Sequence, residues 1–400
     1  MHPVAWSNMA QTVLKLYFKS SINPLPIGQL SFDEPEREDA PAYFVYDPFW
    51  LANGFPLSRD VPLIPKVFKT GLNQPVFGFM YDLIPGLGAK KAARFIHQKD
   101  FTNIQLLLQS QETLRIGAVG FTEPSAEPLT SRTIGPVALD LERLILGHSN
   151  IHDIDSLYKA LDALPGERFK LSYRTNKNLN VISKFNSPDP QRNLTIWEAV
   201  ALSLAKRMGL KTVSAELTSM RGMETLVSLR FDRDQNGKPI HCASARALLA
   251  AHDMSEHTYL EVADILNCDG AKPKEDLFEL WQRMVFNMAI GNVNDTLDNI
   301  SFIRQDDGWR LAPIYSLKPE PILINRRHHA TAVSEDCDRP SLDKAVEVAP
   351  YFGLSRKKAQ AAAAEITAYC ADNWVKIAQQ FQADPLEMDL MRKAFERITD

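Results

Sequence analysis

The chain is poor in cysteine and has no long apolar run, and each shortage excludes a class of protein. There is no C-x-x-C pair and no histidine at zinc-ligand spacing from any of the four cysteines, Cys242, Cys268, Cys337 and Cys370. We therefore expect reduced, packed thiols and a cytoplasmic location. No apolar run approaches the ~20 residues of a membrane-spanning helix, so no membrane contact is expected. The first residues also lack the basic start and apolar core of a signal peptide.

The chain also has little excess charge of either sign. The net charge is -4 and the pI is near 6.2, which gives no reason to expect direct attraction to nucleic acid or membranes. The sequence has no internal repeat and no low-complexity tract, and 45% of its 400 residues are hydrophobic. This composition predicts a folded chain of about two or three domains.

The first part of the chain has the pattern of a β-rich domain. Residues 12–19 are β-branched and aromatic, and residues 42–46 alternate in the same way before an Asp-Pro pair. A basic helix is expected over residues 86–98, with its lysines on a solvated face. We assign residues 1–110 to this domain and residues 111–155 to a connector with a strand-like stretch at 114–121.

A second set of strands precedes a set of helices. Two strands around a polar turn are expected within residues 168–185, then a helix at 195–208 ended by Gly209, and a strand at 225–231. We assign residues 156–242 to a small nucleotide-binding lobe. A helical lobe then occupies residues 243–400.

Helical patterns dominate this last lobe. Apolar residues at helical spacing predict a buried stripe, formed by Leu277, Leu280, Trp281, Met284 and Met288. Ser355 is expected to cap an Ala-rich helix that ends near residue 380, and another helix starts at Pro385. Strands followed by helices, without βαβ alternation, indicate an α+β fold: a β-rich domain followed by a two-lobed, protein-kinase-like domain.

Phosphoryl transfer requires positioning and charge stabilisation, and residues of the right kinds are present. A lysine must reach the phosphates, and acidic groups must hold Mg²⁺ and orient the attacking hydroxyl. Lys184 ends a predicted strand, and Glu198 begins the following helix, where it could pair with Lys184. Taken alone, a lysine at a strand end is an ordinary surface cation.

Several segments resemble one family, the HipA-type serine/threonine kinases of bacterial toxin–antitoxin systems. The segment Gly-Asn-Val-Asn-Asp-Thr-Leu-Asp-Asn at 291–299 is similar to the family's Gly-Asn-Thr-Asp-Asp-His-x-x-Asn catalytic loop. Residues 46–51, 309–319 and 351–355 resemble further motifs of that family. The resemblance covers residues from about 40 to 380.

The resemblance implies a nucleotide site with named positions. Gly-Glu-Arg-Phe-Lys at 166–170 stands where the family has a Gly-Ala-Arg-Pro-Lys phosphate loop, so the expected contacts are Gly166, Arg168 and Lys170. Lys184 and Glu198 take the strand lysine and helix glutamate positions. Leu229 and Phe231 lie in the hinge that borders the adenine. The Ser-and-Gly-rich run that precedes the family motif is replaced by Asp-Ala-Leu-Pro at 162–165, which offers fewer backbone donors.

Carboxylates are missing where the resemblance places the chemistry. Asn294 stands at the position of the catalytic base and Thr296 at the histidine. Asn299 keeps the place of the metal-binding asparagine, but Ser316 replaces the aspartate that binds Mg²⁺. Because an amide cannot accept a proton near neutral pH, phosphotransfer is expected to be lost or strongly weakened. ATP binding remains open, and Mg²⁺ binding is doubtful.

Three functions stay open on this sequence. The first is a kinase-fold module that binds nucleotide or protein with little phosphotransfer. The second is an active kinase toxin in which Asp295 or Asp298 takes over the missing role. The third is a non-catalytic subunit of an antitoxin or repressor complex. The resemblance implies a small helix-turn-helix antitoxin as partner, contact with DNA only through that partner, and leaves a homodimer open.

Overall fold

The computed structural model describes most of the chain. The described residues are 12–19, 23–71, 74–97, 99–110, 112, 114–121, 131–145, 165–166, 168–186, 192–254 and 257–398, without the side chains of 95–97 and 131–135. The replaced loop at 162–165 falls outside them except for Pro165. In this part of the chain no helix has the length and apolar character to span a bilayer.

An antiparallel five-stranded sheet forms the N-terminal part. Its strands, in the order β4-β3-β2-β1-β5, are β1 Thr12–Phe18, β2 Leu25–Phe32, β3 Ala42–Tyr46, β4 Val67–Lys69 and β5 Val119–Gly120. The strands predicted near residues 12–19 and 42–46 are confirmed, whereas β2 and β4 were not predicted. Of the strand-like stretch at 114–121, only β5 is a strand, and it pairs with β1. The connector therefore completes the N-terminal sheet.

The helices of this part are α1 Pro48–Asn53, α2 Leu87–His97, α3 Asn103–Gln109 and α4 Ser131–Ile145. α1 and α3 pack against this sheet, whereas α2 and α4 contribute to a separate core with residues 169–185. The helix predicted at 86–98 is confirmed as α2. Between α3 and β5 the chain turns at Gly117, whose φ of 70° lies in the left-handed region.

The small lobe contains a four-stranded antiparallel sheet and one helix. The strands β6 Lys170–Arg174, β7 Asn180–Phe185, β8 Ala215–Met220 and β9 Met223–Leu229 lie in the order β6-β7-β9-β8. The predicted hairpin around residues 175–178 is confirmed. The helix α5 Leu194–Arg207 follows β7, and Asn193 caps it by accepting hydrogen bonds from the N–H groups of Thr195 and Ile196. Gly209, with φ of 88°, ends it as expected.

The C-terminal lobe is mostly helical. Its helices are α6 Ala245–Leu249, α7 Tyr259–Asp269, α8 Pro273–Ala289, α9 Leu342–Val348, α10 Arg356–Gln380 and α11 Pro385–Met391. The predicted stripe on α8 is buried throughout. Ser355 caps α10 as expected, since its side chain accepts a hydrogen bond from Lys358 N–H.

A small sheet that was not predicted lies in this mostly helical lobe. The strands β10 Cys242–Ser244, β11 Ser301–Gln305 and β12 Gly308–Leu311 form an antiparallel sheet. β10 and β11 are joined in space although α6, α7 and α8 separate them in sequence. Their short lengths and distant pairing leave no local periodicity from which they could be predicted.

The largest hydrophobic core crosses between the lobes. It contains Trp197 and Val200 of α5 together with Trp281 of α8 and Trp374 of α10. The rings of Trp197 and Trp374 lie 6.3 Å apart. The helix that carries Glu198 is therefore held by the helical lobe, while the sheet that carries Lys184 belongs to a smaller core.

Candidate nucleotide site

Lys184 and Glu198 form an ion pair between the small-lobe sheet and α5. Lys184 lies near the end of β7, and Glu198 lies in the first turns of α5. The Lys184 Nζ donates to Glu198 Oε1 at 2.5 Å, and the Glu198 side chain is only 2% exposed. The expected pairing is present. Burial lowers the pKa of Lys184, with Arg168 adding to the effect and Glu198 opposing it.

Arg168 shares the same carboxylate. Its guanidinium donates to Glu198 Oε2, to the carbonyl of Phe185 and to the hydroxyl of Thr195. Its Nε is buried and has no hydrogen-bond partner among the described residues. Two cations, Arg168 and Lys184, therefore share the carboxylate of Glu198, and the Arg168 Nε remains available to donate to a ligand.

Lys170 adds a third cation on the neighbouring strand β6. It lies directly opposite Lys184 in the β6–β7 register, and its Nζ donates to the carbonyl of Pro165. Burial, together with the charges of Lys184 and Arg168, lowers the pKa of Lys170 to about 7, against the opposing charges of Glu198 and Asp298. Gly166 begins this segment with φ of 101°, a conformation that favours glycine.

Tyr315 closes the cleft from the helical lobe. Its carbonyl accepts a hydrogen bond from Lys184 Nζ at 2.5 Å, and its hydroxyl donates to the carbonyl of Asp298 at 2.6 Å. The Phe231 ring lies 5.5 Å from the Tyr315 ring. Lys184 thus bridges the two lobes, and Glu198 and Tyr315 take two of the three donors of its ammonium group.

The hinge residues lie beside this ring pair. Leu229 ends β9 and is exposed, and Phe231 follows it in a turn. Asp232 is buried between Arg230 and Arg233 and also accepts a hydrogen bond from Gly117 N–H at 2.9 Å. The hinge is thereby tied to the connector of the N-terminal domain.

The loop that resembles a catalytic loop presents no carboxylate at Asn294. Asn294 is exposed. Asn299 donates its side-chain amide to the carbonyl of Asn294 at 2.9 Å and to the Thr296 hydroxyl at 3.3 Å. Three residues at which the resemblance places functional groups are thus brought together, but their side chains are all neutral.

Asp295 is turned into the helical lobe. Its side chain is 2% exposed and accepts a hydrogen bond from the Tyr259 hydroxyl at 2.8 Å, with His329 Nδ1 at 3.3 Å. Its carbonyl accepts from the Thr331 hydroxyl at 2.6 Å. The carboxylate is occupied in a buried network that holds the loop to α7 and to the segment at 329–331.

Asp298 faces the solvent on the cleft side of the loop. Its side chain is 44% exposed and lies 3.3 Å from Arg246 of α6. It is close enough to Lys170 and Tyr315 for its charge to raise the pKa of each group. Of the two candidate replacements for the missing base, Asp298 is the one with an accessible carboxylate.

The residues present fit a nucleotide's phosphates better than a metal ion. Arg168, Lys170 and Lys184 offer donors and positive charge, as phosphate oxygens require. Ser316 follows Tyr315 and brings a hydroxyl, not a carboxylate, while Asn299 brings an amide. Mg²⁺ prefers carboxylate oxygens, and no cluster of three or more potential metal ligands occurs in the described ranges.

Three residues near the cleft were not predicted. Tyr315 lies inside a motif that had already been compared with the family, so its place could have been found. Arg246 and Asp82 had no sequence signal. Asp82 comes from the N-terminal domain and accepts a hydrogen bond from Ser244 N–H at 2.6 Å, and burial raises its pKa to about 6.

A small lobe with a strand–helix lysine–glutamate pair, followed by a mostly helical lobe, is the arrangement of a protein-kinase-like fold. Comparison with known proteins identifies the family. Residues 163–374, just over half of the chain, match the model of the HipA-like C-terminal domain, and the chain belongs to this family.

Individual relatives agree with this assignment. The putative kinase Y4mE of Sinorhizobium fredii (strain NBRC 101917 / NGR234) is 26% identical over 309 residues, which are 68% of this chain and 71% of Y4mE. Among solved structures, a chain of the Shewanella oneidensis MR-1 complex of HipA, HipB and operator DNA superposes with a TM-score of 0.67. That match covers 96% of both chains at 18% identity, so it shows a shared fold.

Proposed function

We propose that this chain is a HipA-like kinase-fold protein that binds a nucleotide between its lobes and transfers phosphoryl groups very slowly or not at all. The observation that carries the proposal is the position of the loop carboxylates. Asn294 is exposed where the family has its base, and the neighbouring Asp295 is buried in hydrogen bonds to Tyr259 and His329. Restoring Asp295 to a catalytic role would require breaking that network.

The positive charge of the cleft supports nucleotide binding. Arg168 and Lys184 share the carboxylate of Glu198, Lys170 lies beside them, and the Arg168 Nε has no partner in the described part of the chain. These residues would hold the phosphates of ATP, which would bring the transferable phosphoryl group. Because Ser316 and Asn299 supply no charge for a metal, we propose that binding depends little on Mg²⁺.

Rough magnitudes support a strong loss of rate. General-base assistance contributes ~10²–10⁴ in rate, and metal ions contribute several kcal/mol of charge stabilisation. When kinase turnovers of about 1–100 s⁻¹ are reduced by these factors, the expected rate is roughly 10⁻² s⁻¹ or below.

Restoring the carboxylates tests the proposal directly. The double variant Asn294→Asp, Ser316→Asp is expected to raise phosphotransfer from radiolabelled ATP by about 10²-fold or more, because it returns a base and a metal ligand. The matched control Asn294→Gln, Ser316→Asn changes the same positions without charge and is expected to give no gain. Phosphotransfer by the unaltered chain at rates typical of kinases, abolished by Lys184→Ala, would contradict the proposal.

An active kinase with a displaced carboxylate is the second candidate, and one observation favours Asp298 as its base. Its carboxylate is exposed on the cleft side, whereas that of Asp295 is buried. In this case Asp298→Asn would abolish phosphotransfer, and Asp306→Asn, at an exposed position on the turn between β11 and β12, would not. Activity unchanged by Asp298→Asn would exclude this candidate.

A third candidate is a subunit of a protein complex. The Shewanella oneidensis MR-1 structure contains HipA with HipB and operator DNA. By analogy we propose a small antitoxin-like partner for this chain, with any contact to DNA made through that partner. Co-purification of the chain with the product of a neighbouring small open reading frame would support it, and elution of the chain alone from cells expressing both would count against it.

A further inference from the structure

A cavity lies between α5 and β8, and neither Lys184 nor Glu198 is among its lining residues. Its volume is about 600 Å³, within the range of ~300–1,000 Å³ that is usual for ligand sites. One wall is α5, which contributes Ala199, Leu202 and Lys206, and the facing wall is β8 with Leu226 of β9. The end of α10 closes one side at residues 380–382.

The strand that borders this cavity is the unpaired edge of the small-lobe sheet. β8 has β9 on one side only, and among the described residues no strand pairs with its other side. Both faces of β8 are largely exposed. It contains neither lysine nor proline, the residues that usually protect an edge strand. The edge is therefore open to another strand.

The register shows which backbone groups are available. Leu229 N–H donates to the Ser214 carbonyl at 2.9 Å, so Ser214 is a hydrogen-bonded position of the β8–β9 ladder. Because such positions alternate in an antiparallel pair, Glu216 and Thr218 bond to β9. The N–H and C=O groups of Ala215, Leu217 and Ser219 consequently point outward.

The side chains of these three residues lie on the cavity face. Leu217 packs against the large core, and alternation along the strand places Ala215 and Ser219 on the same face. A strand added to this edge would present its residues opposite Ala215, Leu217 and Ser219 to the same face. Main-chain bonds and side-chain pockets would then act together, as in recognition by strand addition.

The two ends of the cavity carry opposite charges. Glu224 lies opposite Ser219 in the register. It is near the start of α5, because the Asn186 N–H donates to the Glu224 carbonyl and the Asn186 side chain accepts from the Leu194 N–H. Lys206 lies at the other end of α5, next to the turn that leads into β8. Burial and the nearby charge of Glu387 raise the pKa of Glu224, as expected for a carboxylate that lacks a cation.

We propose that this edge and cavity bind an extended peptide segment of a partner protein as a fifth, antiparallel strand beside β8. The whole sheet is antiparallel, which favours this orientation. An antiparallel segment places its first inward residue near Glu224, its second opposite Leu217 and its third near Lys206. The complementary sequence is therefore basic-x-apolar-x-acidic. The lining of the cavity contains none of the cations Arg168, Lys170 and Lys184, so the test does not depend on nucleotide binding.

The experiment measures fluorescence anisotropy of a labelled peptide with the core Arg-Thr-Leu-Thr-Glu, titrated with the full chain. Saturable binding is expected. Ser219→Pro removes only an outward N–H and is expected to weaken binding by about fivefold or more, whereas Ser219→Ala keeps that N–H and binds as the unaltered chain does. Equal affinity for both variants would overturn the proposal.

A charge exchange provides a second test that does not touch the strand. Lys206→Glu is expected to weaken binding of the same peptide, and a peptide with lysine in place of its glutamate is expected to restore it. The peptide with its arginine and glutamate exchanged should bind the unaltered chain more weakly. Absence of saturable binding, or tighter binding of the exchanged peptide, would overturn the proposed antiparallel site. Because Lys206 is exposed, Lys206→Glu is expected to keep the fold intact.

Discussion

Lys170 is buried in the cleft beside two other cations, and this arrangement makes its charge sensitive to pH. Burial and the charges of Lys184 and Arg168 lower its pKa to about 7. An anionic ligand stabilises the charged form and raises that pKa on binding. The affinity for ATP should therefore be highest below pH 7 and fall as the pH rises above it, by up to about tenfold per unit while Lys170 is neutral in the free chain.

Isothermal titration with ATP between about pH 6 and 9 checks this expectation. Lys170→Arg keeps the positive charge throughout this range, so its affinity should change little with pH. Lys170→Met should bind weakly at every pH. An unaltered chain whose affinity does not change above pH 7 would show that Lys170 does not contact the phosphates.

Asp295 lies one position after Asn294, and its side chain supports the fold and does not face the cleft. Its carboxylate accepts from Tyr259 and lies beside His329, all of them buried. Asp295→Ala leaves those partners without an acceptor and should lower the free energy of unfolding by about 1–3 kcal/mol. ATP affinity should be unchanged, since no nucleotide contact is removed. Urea unfolding and nucleotide titration measure the two effects separately. A variant of unaltered stability would contradict the structural role.

At the scale of elements, the hinge is joined to the N-terminal domain by a buried charge network. Asp232 binds Arg230 and Arg233, and these arginines also donate to the carbonyls of Leu114 and Arg115 in the connector. Burial alone would raise the pKa of Asp232, but the charges of Arg230 and Arg233 lower it. Because the folded-state pKa lies below the unfolded value, Asp232 stabilises the fold above about pH 4 and loses this contribution as the pH falls.

Asp232→Asn tests this network. It leaves two buried arginines without their carboxylate and should destabilise the chain by about 3–5 kcal/mol at neutral pH. The difference from the unaltered chain should shrink as the solution is acidified below about pH 4. Denaturant unfolding at several pH values measures both effects. The control is Asp234→Asn in the turn that follows, which should have little effect because asparagine keeps the side-chain oxygen that accepts from the N–H groups of Asn236 and Lys238.

Elements were predictable where the signal was local. The β6–β7 hairpin has a polar turn between alternating strands, α5 ends at Gly209 and α10 begins after the capping Ser355, so their positions followed from the sequence. The β10–β11 pair did not, because residues 242–244 meet residues 301–303 only after three helices have packed between them. The N-terminal strand β5 has two residues and is defined by its partner β1 alone.

At the scale of the whole molecule, the candidate site also combines contacts that could be predicted from local sequence with contacts that could not. The Lys184–Glu198 pair was expected, because a strand-end lysine and a helix-start glutamate are neighbours in this fold. The Arg168–Glu198 and Arg246–Asp298 contacts depend on packing within each lobe, and the hydrogen bond from Lys184 to the Tyr315 carbonyl depends on how the lobes close. That closure depends on the core shared by α5, α8 and α10, for which no single segment carries a signal.

The balance of charge across the closed cleft leads to a prediction for the whole molecule. With three cations facing the phosphates and no carboxylate at Asn294 or Ser316, ATP should stabilise the fold by mass action with or without a metal. At a ligand concentration of about 100 times Kd the gain is ~2.7 kcal/mol. A thermal-shift measurement should therefore give nearly the same rise in Tm in Mg²⁺ and in EDTA. The Asn294→Asp, Ser316→Asp variant should lose much of that rise in EDTA, because its added carboxylates repel the phosphates when no cation lies between them. A rise that disappears on chelation in the unaltered chain would mean that other groups of the cleft hold a metal.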